Sequence, residues 1–217
     1  MLNEQSLRMA MISVAKRLYE KNLLAAADGN ISYRIDDQKI LITPAGCSKA
    51  LLSSDDMAVI TIDGEIISGN PSTERLMHLT VYNYCPEARC VVHAHPPTAI
   101  AWSIAYPELT ELPAESMSEL ILSAGQIPFV PYARPGTQTM GEVLIPFLPE
   151  HRLMVLSRHG ALAWGEDLEE AANGIERLEH SADILMKAQL LCGITKLPQK
   201  EIDVLREMRQ KIGKKLL

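Results

Sequence analysis

Between residues 31 and 68 apolar side chains recur at about every second position, in short runs joined by tight polar turns. ISYRI and KILI flank Asp36-Asp37-Gln38, and MAVITI (57–62) is followed by an Asp-Gly turn and EII. Runs so close together pair antiparallel, because a parallel pair needs a crossover of roughly a dozen residues or more. The pattern excludes strict βαβ alternation. It predicts an α/β chain with a largely antiparallel sheet covered by helices.

Helical periods surround these strands. Leu7, Met11, Val14 and Leu18 mark one helix face. From Pro71 and Ser72 the period lengthens again through Leu76 and Leu79. Strands are predicted at 88–95, 127–132 and 152–157, and the second, IPFVPY, is too proline-rich for the middle of a sheet. Between them, residues 98–104 read as a helical turn or more, and Thr137 as the cap of a helix carrying Met140, Val143, Leu144 and Phe147. Asp167 is the expected cap of the longest helix, with Leu168, Ala171, Ile175, Leu178, Ala182 and Leu185 on one face. A last amphipathic helix is expected from about Gln199, with Ile202, Leu205, Met208 and Ile212. No linker or repeat interrupts residues 1–217, which are read as one domain.

The net charge of −6, with no basic block, argues against a nucleic-acid or anionic-membrane partner. No apolar run approaches the roughly 20 residues of a bilayer span, and the N-terminus lacks a secretory pattern. Cys47, Cys85, Cys90 and Cys192 show no Cys-x-x-Cys spacing, so free thiols and a cytoplasmic location are expected.

VVHAHPPTAI (91–100) ends an apolar run with two histidines one residue apart. On a strand, His93 and His95 share a face, so they either pack as a pair or meet one metal ion. His159 ends a second apolar run, before a glycine that lets the chain turn. If the two strands are neighbours ending together, three imidazoles gather at one sheet edge, the donor set of an open zinc site. Glu74 is expected in the first turn of the helix behind Ser72 and Thr73, either complementing the helix dipole or acting as a general base beside the ion. His78, one turn on, is read as packing or surface. Gly29 and Asn30, and Thr43 with Gly46, form turns whose amides suit a phosphate.

GNIS, TPAG, PSTE, VVHAH and RHG, in this order, closely resemble the class II aldolase/adducin family, and most of all its L-fuculose-phosphate aldolases. The resemblance covers most of the chain and implies three α/β/α layers around a mainly antiparallel sheet. It implies zinc, or another divalent metal, on His93, His95 and His159, with Glu74 as a further ligand or proton-transfer base. It also implies a phosphate pocket from Gly29, Asn30, Thr43, Gly46, Ser72 and Thr73, and a homotetramer with sites at subunit interfaces. The implied activity is aldol cleavage of a ketose 1-phosphate to dihydroxyacetone phosphate and an aldehyde. Pentulose-phosphate 4-epimerase, methylthioribulose-phosphate dehydratase and sugar-acid phosphate decarboxylase activities share the scaffold, and a non-catalytic adducin-like domain is the remote alternative. Two departures stand out: Ala45 lacks a hydroxyl that the phosphate loop elsewhere provides, and Met117 falls where the aldolases lend a tyrosine to the neighbouring subunit. Glu119 and Glu115 are the nearby candidates for the missing second acid.

Overall fold

The computed structural model describes residues 3–217. Its element order is α1 (Glu4–Glu20), β1 (Asn30–Arg34), β2 (Lys39–Ile42), β3 (Ala58–Thr61), β4 (Ile66–Ser68), α2 (Arg75–Tyr84), β5 (Cys90–Ala94) and α3 (Pro97–Ala105). There follow α4 (Ser118–Ser123), β6 (Phe129–Val130), α5 (Gln138–Glu142), β7 (Leu153–Leu156), β8 (Gly160–Gly165), α6 (Leu168–Leu191) and α7 (Gln199–Ile212). The strands form one eight-stranded sheet in the order β4-β3-β2-β1-β5-β8-β7-β6. Every pairing is antiparallel except β6 with β7.

Strand alternation divides the core in two. Ile31, Leu41, Cys90, Val92, Ala94, Val155 and Ala163 face one way and bury the apolar sides of α1, α3 and α6. Ile40, Ile42, Val91, Met154, Leu162 and Trp164 face the other way, against α2 and α5. The result is the expected α/β/α arrangement. All four residues named for α1 and all six for α6 are buried. The Asp167 carboxylate accepts from the Glu170 amide, the cap expected of it.

Three expectations change. β8 was not foreseen, and it inserts between β5 and β7, so the strands carrying the histidines are not neighbours. His159 instead belongs to the turn of the β7–β8 hairpin. IPFVPY contributes only Phe129 and Val130, at a sheet edge, where proline does least harm. On α7 only Ile202 is buried, while Met208 and Ile212 stay exposed.

Candidate metal centre

β5 ends at Ala94 because Pro96 and Pro97 supply no amide to continue the ladder, and Pro97 opens α3 instead. That stop leaves His93 fully buried under α2 and His95 one residue beyond the strand, its amide held by Leu23 O. The hairpin turn brings in His159. Its geometry depends on Arg158 at φ 61°, whose amide donates to Ser103 Oγ on α3. Gly160 follows because a Cβ there would come within 2.8 Å of His93 Cε1.

The three rings pack around one point, with centroids 4.7–5.2 Å apart. One ligand nitrogen from each ring lies within 4.8 Å of the others. His93 Nδ1 donates to Ala161 O at 2.9 Å, which leaves its Nε2 bare and aimed at His95 Nε2, 3.0 Å away. Glu74 closes the fourth side, with Oε2 3.4 Å from His93 Nε2 and Oε1 3.2 Å from His159 Nε2. Oε1 is buried without a hydrogen-bond donor. Three converging imidazole nitrogens beside an unsatisfied buried carboxylate oxygen fit a divalent cation.

Electrostatics agree with that donor set. Burial drives the His93 pKa down to about 3, and burial likewise lowers His95, so both are neutral, as ligation requires. For Glu74 burial opposes ionisation, but His159, His93 and Asn30 outweigh it and hold the carboxyl well below its usual range.

Glu74 is the N-cap residue of α2 and not part of its first turn, and Ser72 Oγ accepts from the Glu74 amide at 3.2 Å. Gly29, Asn30, Gly46, Ser72 and Thr73 line one cleft of about 430 Å³ together with Glu74, His95 and His159. Gly29, at φ +71°, faces His93 O so closely that a Cβ would stand 2.9 Å from it. Thr43 does not reach this cleft: it is fully buried and its Oγ1 accepts from the Ile31 amide. Glu115 and Glu119 are elsewhere. Glu115 pairs with Lys196 and Arg206, and Glu119 is exposed on α4.

Lys49 is a cleft residue that the sequence did not announce. It is 2 % exposed, and its Nζ donates to Ala27 O and Cys47 O, each at 2.8 Å. It thereby ties the two glycine turns together and lines the space between them. Burial pulls its pKa below the usual lysine value. Lys49→Met is expected to raise KM for a phosphorylated substrate about ten- to a hundredfold, the worth of a charged hydrogen bond, with a smaller change in kcat. Steady-state kinetics reads this directly, and an unchanged KM would remove Lys49 from the anion grip.

A mainly antiparallel sheet between helices, with three histidines and a carboxylate converging at one cleft, is the arrangement of a hydrolytic or lyase-type metal-binding site. Residues 9–186 match the Class II Aldolase and Adducin N-terminal domain, and the chain belongs to that family. It is an enzyme of the family's carbon–carbon lyase kind. The chain is 33% identical to the 3-oxo-tetronate 4-phosphate decarboxylase of Escherichia coli O6:H1 over 188 residues, which cover 84% of this chain and 87% of that relative. It is 31% identical to the L-fuculose phosphate aldolase of Methanococcus vannielii, over 80% of this chain and 92% of the other. Among solved structures, YgbL from Escherichia coli superposes with a TM-score of 0.87 at 31% identity, covering 94% of this chain and 99% of that one. Among the described residues, no helix is long and apolar enough to cross a membrane.

Proposed function

We propose that the enzyme decarboxylates a 3-oxo sugar-acid phosphate, with a divalent metal, zinc in the first instance, on His93, His95 and His159. When bound, the cation supplies a Lewis acid that lowers the cost of negative charge on the substrate's carbonyl and hydroxyl oxygens. The turns at Gly29–Asn30 and Gly46, with Ser72 and Thr73, hold the phosphate. Loss of the carboxylate as carbon dioxide leaves an electron pair on the adjacent carbon, which one proton must quench. Glu74, ionised and largely shielded, takes a proton from water and delivers it to that carbon.

The observation that carries this reading is that Glu74, its side chain 13% exposed, sits at the centre whereas the other acid of the cleft, Asp28, is 55% exposed at the rim. Carbon dioxide departs without a proton, so one acid–base group suffices. Aldol cleavage must also handle a proton on the aldehyde-forming hydroxyl. The identity to decarboxylases supports the same choice. The aldolase reading is kept second because the chain is also 31% identical to an L-fuculose phosphate aldolase. The intact ligand set speaks against a non-catalytic domain. With this function we propose a single domain, a cytoplasmic location and a homotetramer with its sites at subunit borders, supported by the family resemblance.

Both reactions release dihydroxyacetone phosphate, so a coupled assay for that product can compare them. The metal-loaded enzyme is expected to release it with one equivalent of carbon dioxide from 3-oxo-tetronate 4-phosphate, and to leave ketose 1-phosphates largely uncut. Release from L-fuculose 1-phosphate, with the sugar acid inert, would overturn the proposal in favour of the aldolase.

A further inference from the structure

Glu74, the N-cap of α2, is followed at four-residue intervals by His78 and Tyr82, which share one helix face about 6 Å apart in rise. Asn30 and Ser32 share a face of β1, about 6.7 Å apart along the strand. Matching spacings let the two sets interdigitate. Asn30 bridges Glu74 and His78, and Ser32 bridges His78 and Tyr82. Asn30 is also the direct register partner of His93 on β5, so this ladder abuts the three-histidine cluster.

The bonds have only one self-consistent direction. A carboxylate accepts and does not donate, so Asn30 Nδ2 donates to Glu74 Oε2, at 2.8 Å. Asn30 Oδ1 therefore faces His78 Nε2, and since an amide oxygen only accepts, Nε2 carries the proton. Burial pushes the His78 pKa down to about 4, so the ring is neutral and Nδ1 is a bare acceptor. Ser32 O–H donates to it, at 2.7 Å, and the Ser32 oxygen accepts from Tyr82 O–H, at 2.8 Å. The other neutral tautomer would set a bare nitrogen against the Asn30 oxygen. A histidine that only filled space would need no particular proton at Nε2.

We propose that His78 is a positioning residue for the metal centre: its Nε2–H fixes the Asn30 amide, and that amide fixes the Glu74 carboxylate against His93 and His159. The proposal rests on the reading of Glu74 as the proton-transfer group. It adds a residue that touches neither metal nor substrate, and a chain of command running from Tyr82 through Ser32 to the base.

The first test uses the wild-type metal-loaded protein, with histidine labelled with nitrogen-15. Long-range proton–nitrogen correlation is expected to show His78 with a proton on Nε2 and none on Nδ1, and the reverse tautomer would overturn the proposal. The second test is kinetic. His78→Met is expected to lower kcat about ten- to a hundredfold with KM and bound metal near wild type, and His78→Gln, whose amide offers an N–H where Nε2 has one, to recover most of it. In an Asn30→Ala background His78→Met should add little further loss, because its effect travels through Asn30. A fall in Tm with unchanged kcat, or losses that add independently of Asn30, would overturn the positioning role. The tautomer is read without substrate, so a wrong substrate assignment leaves that arm intact and is recognised separately.

Discussion

Glu74→Gln is expected to lower kcat by about 10²–10⁴-fold while the protein keeps its metal. Glutamine preserves the shape of the side chain and can still accept from Asn30 Nδ2 through its carbonyl oxygen. It cannot take a proton from substrate, which raises the barrier by roughly 3–5 kcal/mol. The three imidazoles are untouched, and their nitrogens converge within 4.8 Å without help from Glu74. Turnover and metal content measured on the same sample decide the point. Near-normal turnover would remove Glu74 from proton transfer. Loss of metal in step with activity would make it a ligand first.

Arg152→Met should be strongly destabilising. Arg152 and Glu170 have side chains 4% and 1% exposed, and they pair at 2.8 Å. The guanidinium also reaches Glu166 and Glu87 and lies over the Trp164 ring at 4.6 Å. Removing it strands a buried carboxylate, a defect that costs about 3–5 kcal/mol in general. Here Glu170 keeps two donors, the amides of Glu166 and Leu216, so the low end is expected, a Tm fall of roughly 10 °C. The double variant Arg152→Met with Glu170→Met should regain part of this, because no buried charge is left unpaired and Glu166 and Glu87 are solvent-exposed. Glu87→Gln, at the exposed end of the network, should change little. A Tm unmoved by Arg152→Met would show that the cluster contributes nothing to the fold.

Much of this architecture was legible in the residues. The paired short strands, the two prolines after His95 and the Asp167 cap act locally, so their consequences can be read locally. β8 was not legible, since GALAWG is mostly small residues with neither strong alternation nor β-branching. Missing it leads to three histidines meeting as strand neighbours, whereas the folded chain brings them together from a strand end and a hairpin turn. Lys49 and Thr43 depend on which way a loop residue turns, and nothing in their spacing records that. Lys49 turns inward to carbonyls of two loops, and Thr43 spends its hydroxyl on the Ile31 amide. His78 did leave a trace in the Glu-x-x-x-His-x-x-x-Tyr spacing of α2, but its partners lie on β1, and only the folded register shows them.

The place of β8 also bears on how the molecule comes together. His93 and His159 lie on segments far apart in the chain, and their rings meet only after β8 has paired with β5 on one side and β7 on the other. Such non-local pairing follows costly loop closure and belongs to the slower part of folding. Helices and the early hairpins can form while the histidines are still apart. The three-histidine cluster is then expected to be among the last features to form, and its completion would mark a chain whose sheet has closed in the right order.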